Sequence, residues 1–189
     1  MVNWEILTEA CKSCTKCGLH SKRTNIVIGR GNINAPLMLI GEGPGEQEDK
    51  QGLPFVGSAG KLLDLLLDAL LIEKDKYYIA NIVKCRPPGN RVPLDEEAEK
   101  CLPYLRNQVF LIRPKIIVCM GSTAMKYIVD RNAKITQERG KWIERKGCWI
   151  MPTFHPAALL RDESKKVFMW EDFKKVKRRL DEICQNQIS

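Results

Sequence analysis

The chain contains 189 residues, the length of one globular domain that buries a full hydrophobic core without covalent cross-links. Hydrophobic residues make up 44% of it and charged residues 29%, which excludes an intrinsically disordered protein. Lys and Arg number 31 against 23 Asp and Glu, and the formal charge of +8 favours a polyanionic partner, either nucleic acid or an anionic membrane surface. The sequence has no apolar run of about 18 residues, which excludes a membrane-spanning helix.

The first residues, MVNWEILTEACKSC, are polar and charged where a secretory signal peptide has its apolar core. We therefore expect a cytoplasmic protein, in which thiols stay reduced. In that compartment the eight cysteines indicate metal ligands or buried apolar residues rather than disulfides.

Short apolar runs alternate along the chain with helical patterns. Four runs are apolar on both faces, as in strands buried between two layers of helices, and they cover residues 36–40, 77–83, 115–120 and 148–154. Helical patterns follow Ser58, which is the expected N-cap, span residues 94–112, follow Ser122, and span about 165–184. We predict a single α/β domain over residues 1–189, with three layers (α/β/α) around a central four-stranded, mostly parallel sheet.

In such a sheet the ligand site lies beyond the carboxyl ends of the strands. Four segments follow the predicted strands there, and each carries glycine, proline or polar residues that a plain connector does not need. They are GEGPGEQED, NIVKCRPPGNR, GST and TFHPAALLR.

The glycine-rich segment after the first strand does not fit a phosphate-binding loop. Glu46 stands where the dinucleotide fingerprint needs its third glycine, and Pro44 has no amide hydrogen to donate. The carboxylates of Glu42, Glu46 and Glu48 would also repel a diphosphate. Two interpretations remain, a structural turn or a loop whose carboxylates orient water or a polar ligand.

Cysteines are clustered near the start of the chain. Cys11, Cys14 and Cys17 form a C-x2-C-x2-C pattern, and Cys85 and Cys101 flank a proline-containing loop far downstream. This spacing indicates a metal site with a ligand from the distant pair, and either zinc or a four-cysteine iron–sulfur cluster satisfies it. The other three cysteines lie in apolar patterns typical of buried residues; they are Cys119, Cys148 and Cys184.

The segment TFHPAALLR carries the second of only two histidines. His155 follows the last predicted strand, so it lies either at the ligand site or in the first turn of the next helix. Leu159, Leu160 and Arg161 form an apolar tip with a basic end, which on DNA is able to act as a wedge in the base stack. Two further basic residues, Arg86 and Arg91, accompany the second segment.

Five segments occur in the order and spacing of one family. They run from KSCTKCGLH through GEGPGEQED and GLPFVGSAG to NIVKCRPPGNRVP and TFHPAALLR, over about residues 14–161. In these segments the chain resembles a family 4 uracil-DNA glycosylase, the iron–sulfur branch of its superfamily. The resemblance implies a monofunctional enzyme of base excision repair that hydrolyses the N-glycosidic bond of a flipped deoxyuridine and leaves an abasic site.

The resemblance also implies a role for particular residues. Uracil stacks on Phe55, pairs with Asn81 at its edge and contacts Gly43 and His155, while Glu42, Glu48 and His155 are the catalytic candidates. Gly43 stands where the superfamily has an aspartate, which leaves the group that orients the water open. The ligands of a [4Fe–4S] cluster are then Cys14, Cys17, Cys85 and Cys101.

The implied partner is uracil-containing DNA, single- or double-stranded, bound by a monomer with no membrane contact. DNA would meet the basic and apolar residues of two segments, namely Arg86, Arg91, Leu159, Leu160 and Arg161. A non-catalytic, metal-stapled nucleic-acid-binding module also explains the charge and the cysteines, but not Phe55, Asn81 and His155 together. An electron-transfer iron–sulfur protein explains the cysteines alone.

Overall fold

A computed structural model describes residues 2–185. Its six strands are β1 (Arg30–Gly31), β2 (Leu37–Gly41), β3 (Tyr77–Asn81), β4 (Ile116–Met120), β5 (Ile143–Arg145) and β6 (Cys148–Thr153). Its eight α-helices are α1 (Trp4–Lys12), α2 (Glu46–Gln51), α3 (Ser58–Ala69), α4 (Asp95–Ile112), α5 (Ser122–Ile128), α6 (Ile135–Glu138), α7 (Pro156–Arg161) and α8 (Lys165–Gln185). No helix in this part of the chain is long and apolar enough to cross a membrane.

The strands form one mixed sheet in the order β1-β3-β2-β4-β6-β5. The four central strands are parallel and are the four that the sequence predicts, whereas β1 and β5 pair antiparallel at the two edges. The prediction of a four-stranded sheet is therefore wrong in strand number. The edge strands escaped the sequence pattern because they have only 2 and 3 residues and are not fully buried.

Each central strand is buried on both faces, and its side chains alternate between two cores. On β2, Met38 and Ile40 join a core with α1, α4 and α5, while Leu37 and Leu39 join a second core with α3, α7 and α8. The helices thus lie in two layers on either side of the sheet. This arrangement leaves the carboxyl ends of the parallel strands open between the layers.

Local hydrogen bonding sets where the helices at this edge begin. The predicted cap of α3 is wrong by one residue, because Gly57 takes the N-cap position and Ser58 is the first helical residue. At α4, the Glu97 carboxylate accepts a hydrogen bond from the Leu94 amide at 2.8 Å. At α7, His155 is the N-cap, so the imidazole lies both beyond the end of β6 and at the start of a helix.

Candidate active site and cysteine site

A cleft of about 1030 Å³ opens beyond the carboxyl ends of the central strands. Its walls come from the segments after β2, β3, β4 and β6, as the strand pattern predicts. The residues that the sequence singles out at this cleft are Glu42, Gly43, Glu48, Phe55, Asn81, Arg91, His155, Leu160 and Arg161.

Asn81 supplies a buried amide oxygen that lacks a hydrogen-bond partner among the described residues. It is the last residue of β3 and is 1% exposed, yet its Oδ1 accepts no hydrogen bond from the described residues. Burying an amide oxygen without a hydrogen bond costs about 1–3 kcal/mol, so a ligand that donates a hydrogen bond to this oxygen is favoured. Gly41 is required beside it, because a Cβ at Gly41 would lie 2.6 Å from Asn81 Oδ1 and 2.7 Å from the Phe55 ring.

Phe55 is held in an unusual backbone conformation at the wall of the cleft. Its φ of 56° lies in the left-handed region, and the residue is 6% exposed. Gly60 permits this turn, since a Cβ there would lie 1.9 Å from the Phe55 carbonyl oxygen. Arg30 donates a hydrogen bond to the same oxygen at 3.3 Å. The ring centroid of Phe55 lies 5.5 Å from that of His155, so the two rings border one space.

His155 is a neutral hydrogen-bond donor in this setting. Its Nδ1 accepts a hydrogen bond from the Ala157 amide at 3.1 Å, so in the neutral ring the proton resides on Nε2. Desolvation by burial, together with the charge of Arg161, lowers the pKa of His155 to about 4 in spite of the opposing charge of Glu48. Near neutral pH the imidazole therefore offers an Nε2–H without carrying a charge.

The two carboxylates of the first segment have different surroundings. Glu48 accepts hydrogen bonds from the amides of Gly45 at 3.1 Å, Val56 at 2.9 Å and Gly57 at 2.8 Å. Both of its oxygens are occupied in joining the two loops that carry Gly43 and Phe55. Glu42 instead accepts one hydrogen bond, from the Thr123 hydroxyl, and within residues 2–185 its other oxygen has no partner.

Gly43 offers backbone but no space for a side chain. A Cβ at this position would lie 2.7 Å from Cγ2 of Val83, so an aspartate does not fit unless Val83 or the loop shifts. The free carboxylate closest in sequence is that of Glu42. Thr123, which orients it, lies in the GST segment that the sequence points to without identifying the residue.

The basic and apolar tip on α7 divides between surface and core. Leu160 is 52% exposed and lines the cleft together with Arg161, which forms no salt bridge among the described residues. Leu159 is 3% exposed and packs in the core below α7, so this side chain is not presented to DNA. Its burial follows from the helix, which turns neighbouring residues to different faces.

Arg91 and Arg86 are both engaged with other side chains. Arg91 lines the cleft and forms a bidentate ion pair with Glu97, at 2.7 and 2.8 Å. Arg86 lies outside the cleft lining, where it donates to Asn90 Oδ1 at 2.7 Å and lies 3.8 Å from a Glu46 oxygen. Arg91 is thus better placed than Arg86 to contact a nucleic-acid strand that enters the cleft.

The four cysteines predicted as ligands line a second, smaller pocket. Cys14 and Cys17 follow α1, Cys85 follows β3 and Cys101 lies on α4, whereas Cys11 is buried inside α1 and does not line the pocket. None of the eight cysteines forms a disulfide. Within residues 2–185, no group of three or more Cys, His, Asp or Glu side chains is placed to hold a metal ion.

Positive charge and hydrogen-bond donors surround these thiols. Arg23 donates to Cys85 Sγ, and the Lys84 amide donates to Cys101 Sγ, both at 3.3 Å. Burial raises the pKa of the Cys85 thiol and raises that of Cys101 to about 12. Thiolates at these positions therefore need a strongly cationic partner, which is the chemistry that an iron or zinc centre provides.

Residues 28–180 match the family model of the Uracil DNA glycosylase superfamily, and the chain belongs to this superfamily. It is similar to a type-4 uracil-DNA glycosylase of Thermotoga maritima, with 46% identity over 177 residues that cover 92% of each chain. A type-4 uracil-DNA glycosylase of Sulfurisphaera tokodaii is 45% identical over 186 residues, which cover 94% of this chain and 84% of that protein. These relatives confirm the family resemblance predicted from the five segments.

Proposed function

We propose that the protein is a monofunctional uracil-DNA glycosylase, which hydrolyses the N-glycosidic bond of a flipped deoxyuridine and leaves an abasic site. The observation that carries this proposal is the unpaired, buried amide of Asn81, which shares one cleft with the Phe55 ring and the neutral imidazole of His155. The names of the type-4 relatives support the same activity. A base inside a duplex is inaccessible, so the nucleotide must be flipped out to reach this cleft.

Recognition of uracil falls to Phe55 and Asn81. Stacking on an aromatic ring stabilises a bound base by about 1–3 kcal/mol. The Asn81 amide has a donor and an acceptor, which match O4 and N3–H of uracil. Cytosine presents the opposite pattern and would leave the amide unpaired, a penalty of about 1–3 kcal/mol. The backbone of Gly43 lies close to the base, and no side chain there obstructs it.

His155 stabilises the departing base. As the glycosidic bond breaks, negative charge develops on uracil, and a hydrogen bond from Nε2–H to O2 strengthens with it. A neutral imidazole is suited to this step, because it binds the developing anion without first having to be protonated. The hydrogen bond from Ala157 to Nδ1 fixes the tautomer that performs it.

Glu42 orients the attacking water. Glu42 lines the cleft, Thr123 holds one of its carboxylate oxygens and the other is available to water, and the negative charge also stabilises an oxocarbenium-like sugar. Glu48 contributes indirectly, because its carboxylate keeps the loops of Gly43 and Phe55 together. This assignment gives the two acidic residues different roles.

DNA approaches along the exposed side of the cleft. Leu160 is placed to enter the space left by the flipped base, and Arg161 and Arg91 are placed to contact phosphates. Arg86 contributes at the rim, and Leu159 supports α7 from below. Single- and double-stranded DNA are both substrates in this scheme, which requires one copy of the chain.

The cysteine site holds a [4Fe–4S] cluster through Cys14, Cys17, Cys85 and Cys101. The shared pocket, the N–H donors at two sulfurs and the surrounding positive charge support this assignment. Each iron of such a cluster takes one cysteine, so the four thiols need not converge on a single ion. When bound, the cluster supplies a covalent link between the N-terminal segment, the end of β3 and α4.

The test is release of free uracil from a uracil-containing oligonucleotide, measured together with iron and sulfide on the same sample. We expect uracil and an alkali-labile abasic site, with no release from the matched cytosine oligonucleotide. Binding without release by cluster-loaded protein would show a non-catalytic DNA-binding module instead. Four irons per chain are expected, whereas one zinc per chain would contradict the assigned cofactor.

A further inference from the structure

Lys84 is a fully buried lysine that the proposed mechanism does not yet use. It lies three residues beyond the end of β3 and is 1% exposed. Its Nζ donates hydrogen bonds to the main-chain oxygen of Asn81 at 2.8 Å and to Gln108 Oε1 at 2.6 Å. Among residues 2–185 it forms no salt bridge with a carboxylate. Burial of an ammonium group is costly, so an apolar residue would be the expected occupant of a site with no function.

The side chain of Gln108 extends the hydrogen bonding of Lys84 into a buried polar network. Gln108 Nε2 donates in turn to the Ile28 carbonyl at 2.9 Å and to the Tyr78 hydroxyl at 3.2 Å. Gln108 is fully buried, so its amide is fixed by these contacts. The ammonium of Lys84 therefore donates one hydrogen bond to the fixed amide of Gln108 and another to the main-chain oxygen of Asn81.

The orientation of the Asn81 side-chain amide depends on how its backbone is held. Its Oδ1 has no partner in the described chain, so no hydrogen bond to that oxygen fixes the amide in the free protein. Its Oδ1 and the Phe55 ring both lie against Gly41, so the direction of the side chain depends on this packing and on the orientation of its own peptide groups. The residues that follow, Ile82 and Val83, pair with the loop after β2 through the oxygens of Gly41 and Glu42.

The main chain of Lys84 is anchored at the cysteine site. Its amide donates to Cys101 Sγ at 3.3 Å, and its carbonyl accepts from the Val27 amide at 2.8 Å. One residue thus contacts the cysteine site with its backbone and the base-recognition residue with its side chain. Cys85, the next residue, is itself an assigned ligand of the cluster.

We propose that Lys84 is a positioning residue for uracil recognition, because its ammonium fixes the Asn81 main-chain carbonyl and thereby the amide that pairs with the base. This inference rests on the role of Asn81 in the proposed function. Lys84 itself touches no substrate. A misplaced recognition group reduces the rate by up to about a hundredfold per ångström, so a moderate loss is expected when the anchor is removed.

A double-mutant cycle tests the inference with Lys84→Met, Asn81→Ala and the combined variant. The measurements are kcat/KM on a uracil oligonucleotide, the ratio of uracil to cytosine cleavage, and iron content. We expect Lys84→Met to lower kcat/KM by about tenfold with iron retained, but by less than about twofold in the Asn81→Ala background, since both changes remove one coupled interaction. A merely structural role predicts the same loss in both backgrounds.

The control is Lys175→Met on α8. This change also removes a hydrogen bond from a lysine to a main-chain oxygen, since Lys175 Nζ donates to the Gly140 oxygen at 2.9 Å. It is expected to leave kcat/KM unchanged. If Lys84→Met does not fold, Lys84→Gln keeps a polar donor and is carried through the same cycle. Additive losses, or no loss at all for the Lys84 variant, overturn the inference alone. An Asn81→Ala variant with full activity and selectivity overturns the proposed role of Asn81 and this inference with it.

Discussion

The hydrogen bond from the Ala157 amide to His155 Nδ1 gives two functions to one side chain, because it caps α7 and directs the Nε2 proton. An asparagine at position 155 keeps an acceptor for the cap, but its shorter side chain carries no donor at the position of Nε2–H. We expect His155→Asn to lower single-turnover uracil release by about a hundredfold or more. Affinity for a uracil oligonucleotide, measured by fluorescence anisotropy, should change little. Wild-type turnover in this variant would remove His155 from the mechanism.

The low pKa of His155 also predicts the pH profile. The folded pKa of about 4 lies below the ordinary value of 6.5, so the imidazole stays neutral between these values in the folded protein but is protonated in the unfolded chain. This group therefore lowers the stability of the fold as the pH falls from 6.5 towards 4. We expect single-turnover rates to show no inflection near pH 6.5, and an inflection there that disappears in His155→Asn would contradict the neutral donor.

Changing Glu42 and Glu48 to glutamine one at a time distinguishes the catalytic role proposed for Glu42 from the structural role proposed for Glu48. Glu42→Gln should slow single-turnover release by about a hundredfold and leave the melting temperature unchanged, because its carboxylate acts on water. Glu48→Gln places an amide NH2 against backbone N–H groups and should reduce the free energy of unfolding by about 1–3 kcal/mol. The comparison is made by denaturant titration and rate measurement on both variants. The opposite pattern would reverse the two assignments.

Which residues surround the cleft was predictable from sequence, but what each carboxylate does was not. His155 was singled out because it follows a buried strand, whereas Phe55 and Asn81 were identified through the family resemblance of their segments. Glu48 looked equivalent to Glu42, since its partners Val56 and Gly57 lie 8 and 9 residues away and are brought near only by the fold. Nothing in the sequence distinguishes Lys84 from a surface lysine, because a sequence does not reveal that a lysine is buried.

At the scale of elements, α7 determines which of two adjacent leucines is exposed beside the cleft. Leu160 is exposed and Leu159 is buried, although the two are adjacent in sequence. Leu160→Ala should reduce release from double-stranded DNA several-fold, spare single-stranded substrate and keep the melting temperature. Leu159→Ala should instead cost about 2–5 kcal/mol of unfolding free energy, because it leaves a cavity in the core. Equal effects of Leu160→Ala on both substrates would exclude the wedge.

The elements themselves were predictable to different degrees for a physical reason. The four parallel strands were found because each is a continuous apolar run buried on both faces, a signal that does not depend on its neighbours. The edge strands β1 and β5 exist only through pairing with β3 and β6, so nothing in their own residues identifies them. The six-residue helix α7 was likewise too short for its buried face to be assigned from spacing.

At the scale of the whole molecule, the cysteine site joins segments that are distant in the chain. Cys14 and Cys17 belong to the N-terminal segment, Cys85 to the end of β3 and Cys101 to α4, so loss of one ligand should loosen all three. We expect Cys85→Ser to lose most of its iron and sulfide and to unfold at a lower temperature, measured by metal analysis and thermal denaturation. Asn81 lies only four residues before Cys85, so residual protein should also cleave uracil more slowly.

Cys148→Ser is the matched control, because this half-buried thiol on β6 lies away from the site and is not an assigned ligand. It should keep full iron content and activity. Full iron in Cys85→Ser would show that the fourth ligand is another residue. Cys11, which lies within the same N-terminal cluster of cysteines but is buried in α1, is the alternative that a Cys11→Ser variant would then expose.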